Sequence, residues 1–167
     1  TRRSSDLACC DSRIHGCLGG ATRTASVLAG IEALRTEVSF VAVHDAARPL
    51  ASSELLRRVL AVAYAHGAAV PSLPVTDTVQ EVSAAGALVR LVDRTSLRAV
   101  QTPQVARRAW RASALNAQLA AATDEASLLF EAGYPVMHVD GDPRNLKITW
   151  PADILLAEAL IATQGVG

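Results

Sequence analysis

The stretch Val38–Leu50, Val-Ser-Phe-Val-Ala-Val-His-Asp-Ala-Ala-Arg-Pro-Leu, constrains the fold more than any other part of the chain. Val38 to Val43 is short, β-branched and nearly free of polar side chains, which is the pattern of a strand covered on both faces in a parallel sheet. It ends abruptly in His44, Asp45, Arg48 and Pro49. Ligands of open α/β sheets bind beyond the carboxyl ends of such strands, so an Asp and an Arg three residues apart at that end form a site candidate. The same two residues also read as a surface ion pair beside a turn-forming proline.

The segments around this strand alternate between helix and strand. Thr22 to Arg35 places Val27, Leu28, Ile31 and Leu34 at helical spacing behind the possible caps Thr22 and Thr24, and it follows a Gly19-Gly20 turn. Ser52 and Ser53 are cap choices for a helix through about Ala65, which Gly67 stops. Ala68 to Leu73 is the next apolar run, so the order is that of a sheet with crossover helices. Thr76 to Val82 then alternates in β fashion, Ser83 to Gly86 turns, and Ala87 to Val92 returns. A hairpin of this kind is marginal alone in water and needs something to pack on, a second subunit being one choice.

Further on, Gln104 to Ala120 is predicted helical with Trp110 as its core anchor. Thr123-Asp124-Glu125 starts a helix ending at Gly133, and Pro135 to Val139 is a strand. Leu146 to Trp150 is predicted as a short strand carrying Lys147, and Pro151 opens a last helix through Ile161. Residues 1–18 offer at best a short strand at Ile14 to Leu18. A single domain over residues 1–167, with the 76–93 hairpin as an arm within it, is the expected organisation.

Composition narrows the function. Half of the 167 residues are hydrophobic and 19% are charged, as in a compact globule, and the formal net charge of zero with no basic stripe argues against a nucleic-acid partner. No apolar run has membrane-spanning length and the first residues lack a signal peptide's core, so a cytoplasmic protein is expected. Cys9, Cys10 and Cys17 read as free thiols; with His15 they make poor metal-site spacing. Lys147 is the one lysine among sixteen basic residues, and its isolation in an arginine background points to a task for an ammonium group.

Seven motifs occur in one order: Gly19-Gly20-Ala-Thr-Arg23-Thr-Ala-Ser26, Val43-His-Asp-Ala-Ala-Arg-Pro49, Asp77-Thr78, Asp93-Arg94, Gln101-Thr-Pro-Gln104, Thr123-Asp-Glu-Ala126 and Gly141-Asp-Pro-Arg-Asn-Leu-Lys-Ile-Thr149. In this order they resemble the 2-C-methyl-D-erythritol 4-phosphate cytidylyltransferases. The resemblance implies a Rossmann-like, doubly wound α/β fold with a mostly parallel sheet, helices on both faces and a protruding antiparallel arm. It also implies a reaction in which the phosphate oxygen of a small polyol phosphate attacks the α-phosphorus of CTP and pyrophosphate leaves, with Mg²⁺ bridging phosphates.

By the same resemblance Gly20 and Ser26 contact the cytosine, and Asp45 lies near the ribose and the metal. Arg48, Thr78 and Thr102 contact the polyol phosphate, while Arg94 and Lys147 are the catalytic pair that position the attacking oxygen. Thr78 and Arg94 belong to an arm that reaches a neighbouring subunit's site, which implies a homodimer through residues 76–93. His44 is read as structural, since a phosphate oxygen is already deprotonated at neutral pH and needs no base; Arg23 reads equally as a helix-face charge or a ligand, Asp77 as a strand-end turn residue, and Thr123 to Glu125 as a helix start supporting a loop.

The chain also departs from the family pattern. The glycine-rich loop with an Arg and a Lys that cradles the triphosphate has no counterpart in these residues, and Ala21 stands where the family is commonly acidic. An N-terminal strand-loop unit is thus expected to be missing, which leaves an exposed sheet edge or apolar patch. Two alternatives follow: a ribitol 5-phosphate cytidylyltransferase, or a non-catalytic remnant that dimerises through its arm.

Overall fold

The computed structural model describes residues 14–116 and 124–163. It divides into two compact units, one of Thr1–Val41 with Arg107–Tyr134, the other of Ala42–Ala106 with Pro135–Gly167.

The first unit is mainly helical. Helix α1 (Arg23–Glu32) begins where Thr22, in extended conformation, accepts the Ala25 N–H on its Oγ1 at 3.0 Å. The glycine before it is sterically required. A Cβ on Gly20 would stand 2.4 Å from the Ala25 Cβ. Helix α3 (Arg108–Asn116) stacks Trp110 on Tyr134 with ring centroids 4.7 Å apart. Helix α4 (Glu125–Glu131) is capped by Asp124, which accepts the Ser127 N–H at 2.8 Å, and ends at Gly133 with φ of 82°. The strand expected at Ile14 to Leu18 is absent; residues 14–20 carry no regular structure.

The second unit is built on strand β2 (Ala68–Pro74), buried along most of its length. Its partners are β5 (Arg98–Val100) and β6 (Gln104–Arg107), both antiparallel to it, and β7 (Met137–Asp140), parallel to it. The sheet order is β1-β6-β2-β5, with β7 on β2, where β1 is Phe40–Val43. Helix α2 (Ser53–His66) packs on β2 through Leu55, Val59 and Ala63, each fully buried. Burying a Leu or Val side chain contributes about 1.5–3 kcal/mol, and this helix therefore anchors the unit. Ser52 caps it by accepting the Leu55 N–H, and Gly67, at φ 97°, ends it.

The α/β class agrees with the sequence, and the mixed pairing has a local cause. Residues 98–107 run along one edge of β2, and Gln101–Pro103 interrupt the ladder between β5 and β6. The helix predicted from Gln104 therefore begins only at Arg108: Val105 and Ala106 pair with Ala69 and Ala68 instead, and backbone partners on a buried strand outweigh local helix preference. The predicted residues 117–120 of that helix lie outside the described residues. The strand predicted at Leu146 to Trp150 forms no ladder; the segment is held by the Ile148 N–H donating to the Ala47 carbonyl at 2.8 Å.

The hairpin stands as a separate two-stranded sheet of β3 (Val79–Val82) and β4 (Leu88–Val92). Val82, Leu88, Val89 and Leu91 are exposed on it. Strand β1 is an edge of the main sheet and only Val41 on it is buried, so it is not covered on both faces as expected. Helix α5 (Pro151–Ala162) likewise leaves Ile154, Leu155 and Leu156 exposed. No helix among the described residues is long and apolar enough to cross a membrane.

Candidate active site around the Asp45 turn

The turn after β1 brings three charged groups together. Arg48 N–H donates to the Asp45 carbonyl at 2.9 Å, closing the turn so that both side chains rise from one end of the strand. Oδ2 of Asp45 lies 3.4 Å from Lys147 Nζ and 4.0 Å from Arg48 Nε. The Arg48 side chain is 11% exposed and that of Asp45 22%, so this is no surface pair; Lys147, at 51%, is the accessible member.

Beneath the turn the polar groups interlock. The Asp45 N–H donates to Thr102 Oγ1 at 3.0 Å, and Thr102 Oγ1 lies 2.9 Å from His44 Nδ1. With that hydroxyl donating to Nδ1, the proton on the imidazole sits at Nε2, which is 3.0 Å from the Arg48 carbonyl and donates to it. Arg48 itself donates from Nη1 to the Asn145 carbonyl at 2.7 Å and from Nη2 to the Val100 carbonyl at 3.4 Å. Its fork is thus occupied by backbone oxygens, and it presents a fixed positive charge more than a free pair of donors. Burial lowers its pKa, and Asp45 opposes that by favouring the charged form.

A cavity of about 520 Å³ opens beside this turn, lined by Ala42, His44, Arg48, Pro49, Ser52 and Leu56 among others. Asp45 and Lys147 are not among its lining residues, and Arg48 is the charged group that it shares with the cluster.

The other residues predicted from the sequence stand elsewhere. In the first unit Gly20 donates its N–H to Ser26 Oγ at 3.1 Å, and Ser26 also bonds the Thr22 carbonyl at 2.9 Å, so these two are paired with each other. Thr78 and Arg94 are exposed at the foot of the arm, where Arg94 donates to the Thr76 carbonyl. Arg23 grips Glu125 with both terminal nitrogens at 2.8 and 2.9 Å, a structural tie between α1 and α4 in the first unit.

Sequence reading assigned no role to Gln101 and Asn145, both buried beside Thr102. Their signal lay in an amide-rich run next to a turn-rich loop, and that pattern is common to many loops. No group of three or more His, Cys, Asp or Glu that could hold a metal occurs among the described residues, and the carboxylate of this cluster is Asp45. Asp45 therefore fits Mg²⁺ only in the mode where substrate phosphates supply most of the remaining ligands.

A strand-end carboxylate flanked by two cations, in an α/β domain with a projecting ribbon, suits the binding of a phosphorylated ligand beyond the end of a strand. The chain matches the profile of the 2-C-methyl-D-erythritol 4-phosphate cytidylyltransferase (IspD) family over residues 2–163, and it belongs to that family. It is 47% identical over 145 residues to the enzyme of that name from Frankia casuarinae, covering 86% of this chain and 54% of the relative. It is 44% identical to a bifunctional IspD/IspF enzyme of a Bradyrhizobium, covering 87% of this chain and 38% of that one. The crystal structure of the cytidylyltransferase from Thermus thermophilus superposes with a TM-score of 0.77 at 45% identity, over 86% of this chain and 71% of that one. The chain thus spans between 38% and 71% of the length of these relatives.

Proposed function

We propose that this chain carries the acceptor side of a cytidylyl transfer, in which CMP passes from CTP to 2-C-methyl-D-erythritol 4-phosphate and pyrophosphate is released. The observation that carries this reading is the triad of Lys147, Asp45 and Arg48 at the carboxyl end of β1. In-line displacement at phosphorus needs anionic oxygens brought together and their charge neutralised, with no covalent step by the protein. Lys147, half exposed and paired with Asp45, supplies a point charge to the attacking phosphate oxygen. Arg48 supplies a fixed field from below, and Thr102, under the Asp45 turn, sets its height.

Gly20 and Ser26 are assigned to the cytosine, and Thr78 and Arg94 to the phosphate of a second copy's site. The exposed apolar side chains of the β3–β4 ribbon support the homodimer this requires. Asp45 would hold Mg²⁺, whose charge would stabilise the phosphates when bound. Both substrates are polyanions that do not cross membranes unaided, in keeping with a cytoplasmic enzyme.

Pyrophosphate release from CTP with either methylerythritol 4-phosphate or ribitol 5-phosphate tests the proposal. Preference for the first is expected. Preference for ribitol 5-phosphate overturns the substrate, and neither turnover nor binding of CTP or polyol phosphate at millimolar concentration leaves the remnant reading.

A further inference from the structure

Asn145 is fully buried, at 0% exposure, in a loop otherwise made of turn formers and charged residues. A polar side chain so placed is explained by what it holds, because an interior amide without partners is unfavourable. Its Nδ2 donates to the Thr102 carbonyl at 2.8 Å, and its own backbone carbonyl accepts from Arg48 Nη1 at 2.7 Å and from Gln101 Nε2 at 3.3 Å. Gln101 adds two bonds to the same loop: Nε2 donates to the Asp142 carbonyl at 2.9 Å, and Oε1 accepts the Asp142 N–H at 3.0 Å. Gly141 permits this approach, for a Cβ there would stand 2.5 Å from Gln101 Oε1 and 3.1 Å from the Ser72 carbonyl oxygen.

The Asn145 Oδ1 is buried with no hydrogen-bond partner among the described residues. The side-chain amide thus meets the rest of the fold through its donor bond to Thr102, which sets the path of the loop. The bonds close a ring. Asn145 grips residue 102, the Thr102 hydroxyl receives the Asp45 N–H, and Arg48 from the same turn returns to the Asn145 carbonyl. Lys147, two residues beyond Asn145, reaches Asp45 from the other side.

We propose that Asn145, assisted by Gln101, is a positioning residue that fixes Arg48 and the Lys147 turn at the spacing that receives a phosphate monoester beside Asp45. Neither amide touches the anion; both act through Arg48, Thr102 and the 145–147 turn. This deepens the proposed function and rests on it for the identity of the anion, while the restraint on Arg48 stands apart from it.

The test uses this chain with Asn145→Ala, with Gln101→Glu, and with the α2 core truncation Val59→Ala as a stability control. Two readouts are taken: the guanidinium NMR signals of Arg48, and affinity for 2-C-methyl-D-erythritol 4-phosphate by titration. The unsubstituted chain should show restricted guanidinium rotation at Arg48. Both amide variants should release it and lose about tenfold in affinity, because the Arg48 charge is no longer held in place, while Val59→Ala lowers the melting temperature and leaves both readouts unchanged. Unchanged Arg48 signals in the amide variants overturn the proposal, as does an equal loss in Val59→Ala. If Asn145→Ala fails to fold, Gln101→Glu, which keeps the size and the Oε1 acceptor but sets a carboxylate oxygen against the Asp142 and Asn145 carbonyls in place of the Nε2 donor, decides. Release of Arg48 in the variants of a chain that binds no polyol phosphate sustains the clamp and overturns the cytidylyltransferase reading instead.

Discussion

Lys147 Nζ and Asp45 Oδ2 stand 3.4 Å apart, with the ammonium half exposed and the carboxylate mostly covered. A pair this open to water is worth about 0–1 kcal/mol, so the lysine is a transferable cation. On the proposed function an arriving phosphate would compete for it, whereas Arg48, bonded to the Asn145 and Val100 carbonyls, would stay in place.

Lys147→Ala should therefore lower pyrophosphate release at least about tenfold while leaving the melting temperature within a degree or two. Lys147→Arg should not restore the rate, because a planar fork replaces a compact point charge. Turnover and a thermal melt of each variant check both statements.

Arg48→Met keeps the apolar stem and removes the head, leaving the Asn145 and Val100 carbonyls without its donors. A loss of about 1–3 kcal/mol in urea unfolding is expected from the two lost charge-assisted bonds, with the Asn145 carbonyl left to Gln101 Nε2. Activity should fall as well, in contrast to Lys147→Ala, where activity alone responds.

Glu125, its side chain 5% exposed, holds Arg23 and also favours the charged form of the fully buried Arg111, whose pKa burial lowers to about 10. Glu125→Ala should destabilise the chain by about 3–5 kcal/mol, since it leaves buried positive charge without this carboxylate. Arg23→Ala, at a side chain 43% exposed, should cost much less. Urea melts of the two variants, compared at one pH, measure the difference.

Asp153 accepts the Thr149 and Trp150 N–H groups on Oδ2, each at 2.7 Å, and these bonds hold its pKa below the ordinary 3.8. A carboxylate lowered in the folded state stabilises above its unfolded pKa, and that contribution fades as pH falls through the lower folded value. The start of α5 should accordingly fray below about pH 4 in the native chain and already at neutral pH in Asp153→Ala. Amide hydrogen exchange at residues 151–155 reads this directly.

Local chemistry made much of the fold legible. Ser52 and Gly67 bracket α2 as expected, Asp124 and Gly133 bracket α4, and Pro151 opens α5. Caps and left-handed glycines act within a few residues, so their signal lies in neighbouring letters. Gln104–Arg107 misled because its pattern suits a helix, and only the edge of β2, more than thirty residues earlier, turns it into a strand. Lys147 sits on an irregular segment for a related reason: its anchor is the Ala47 carbonyl, a hundred residues away in sequence.

Asp45 and Arg48 were visible in the sequence as a charged turn at a strand end, and Lys147 by its rarity. By itself the sequence determined the α/β class, most helix ends, the hairpin and the kinds of charge available. The tertiary structure alone decided that Arg48 is buried and fixed, that Lys147 is the accessible cation, and that Gln101 and Asn145 lock the turn from beneath. The division is physical: propensity and capping depend on neighbours in the chain, whereas burial and a closed ring of hydrogen bonds depend on groups that only folding brings together.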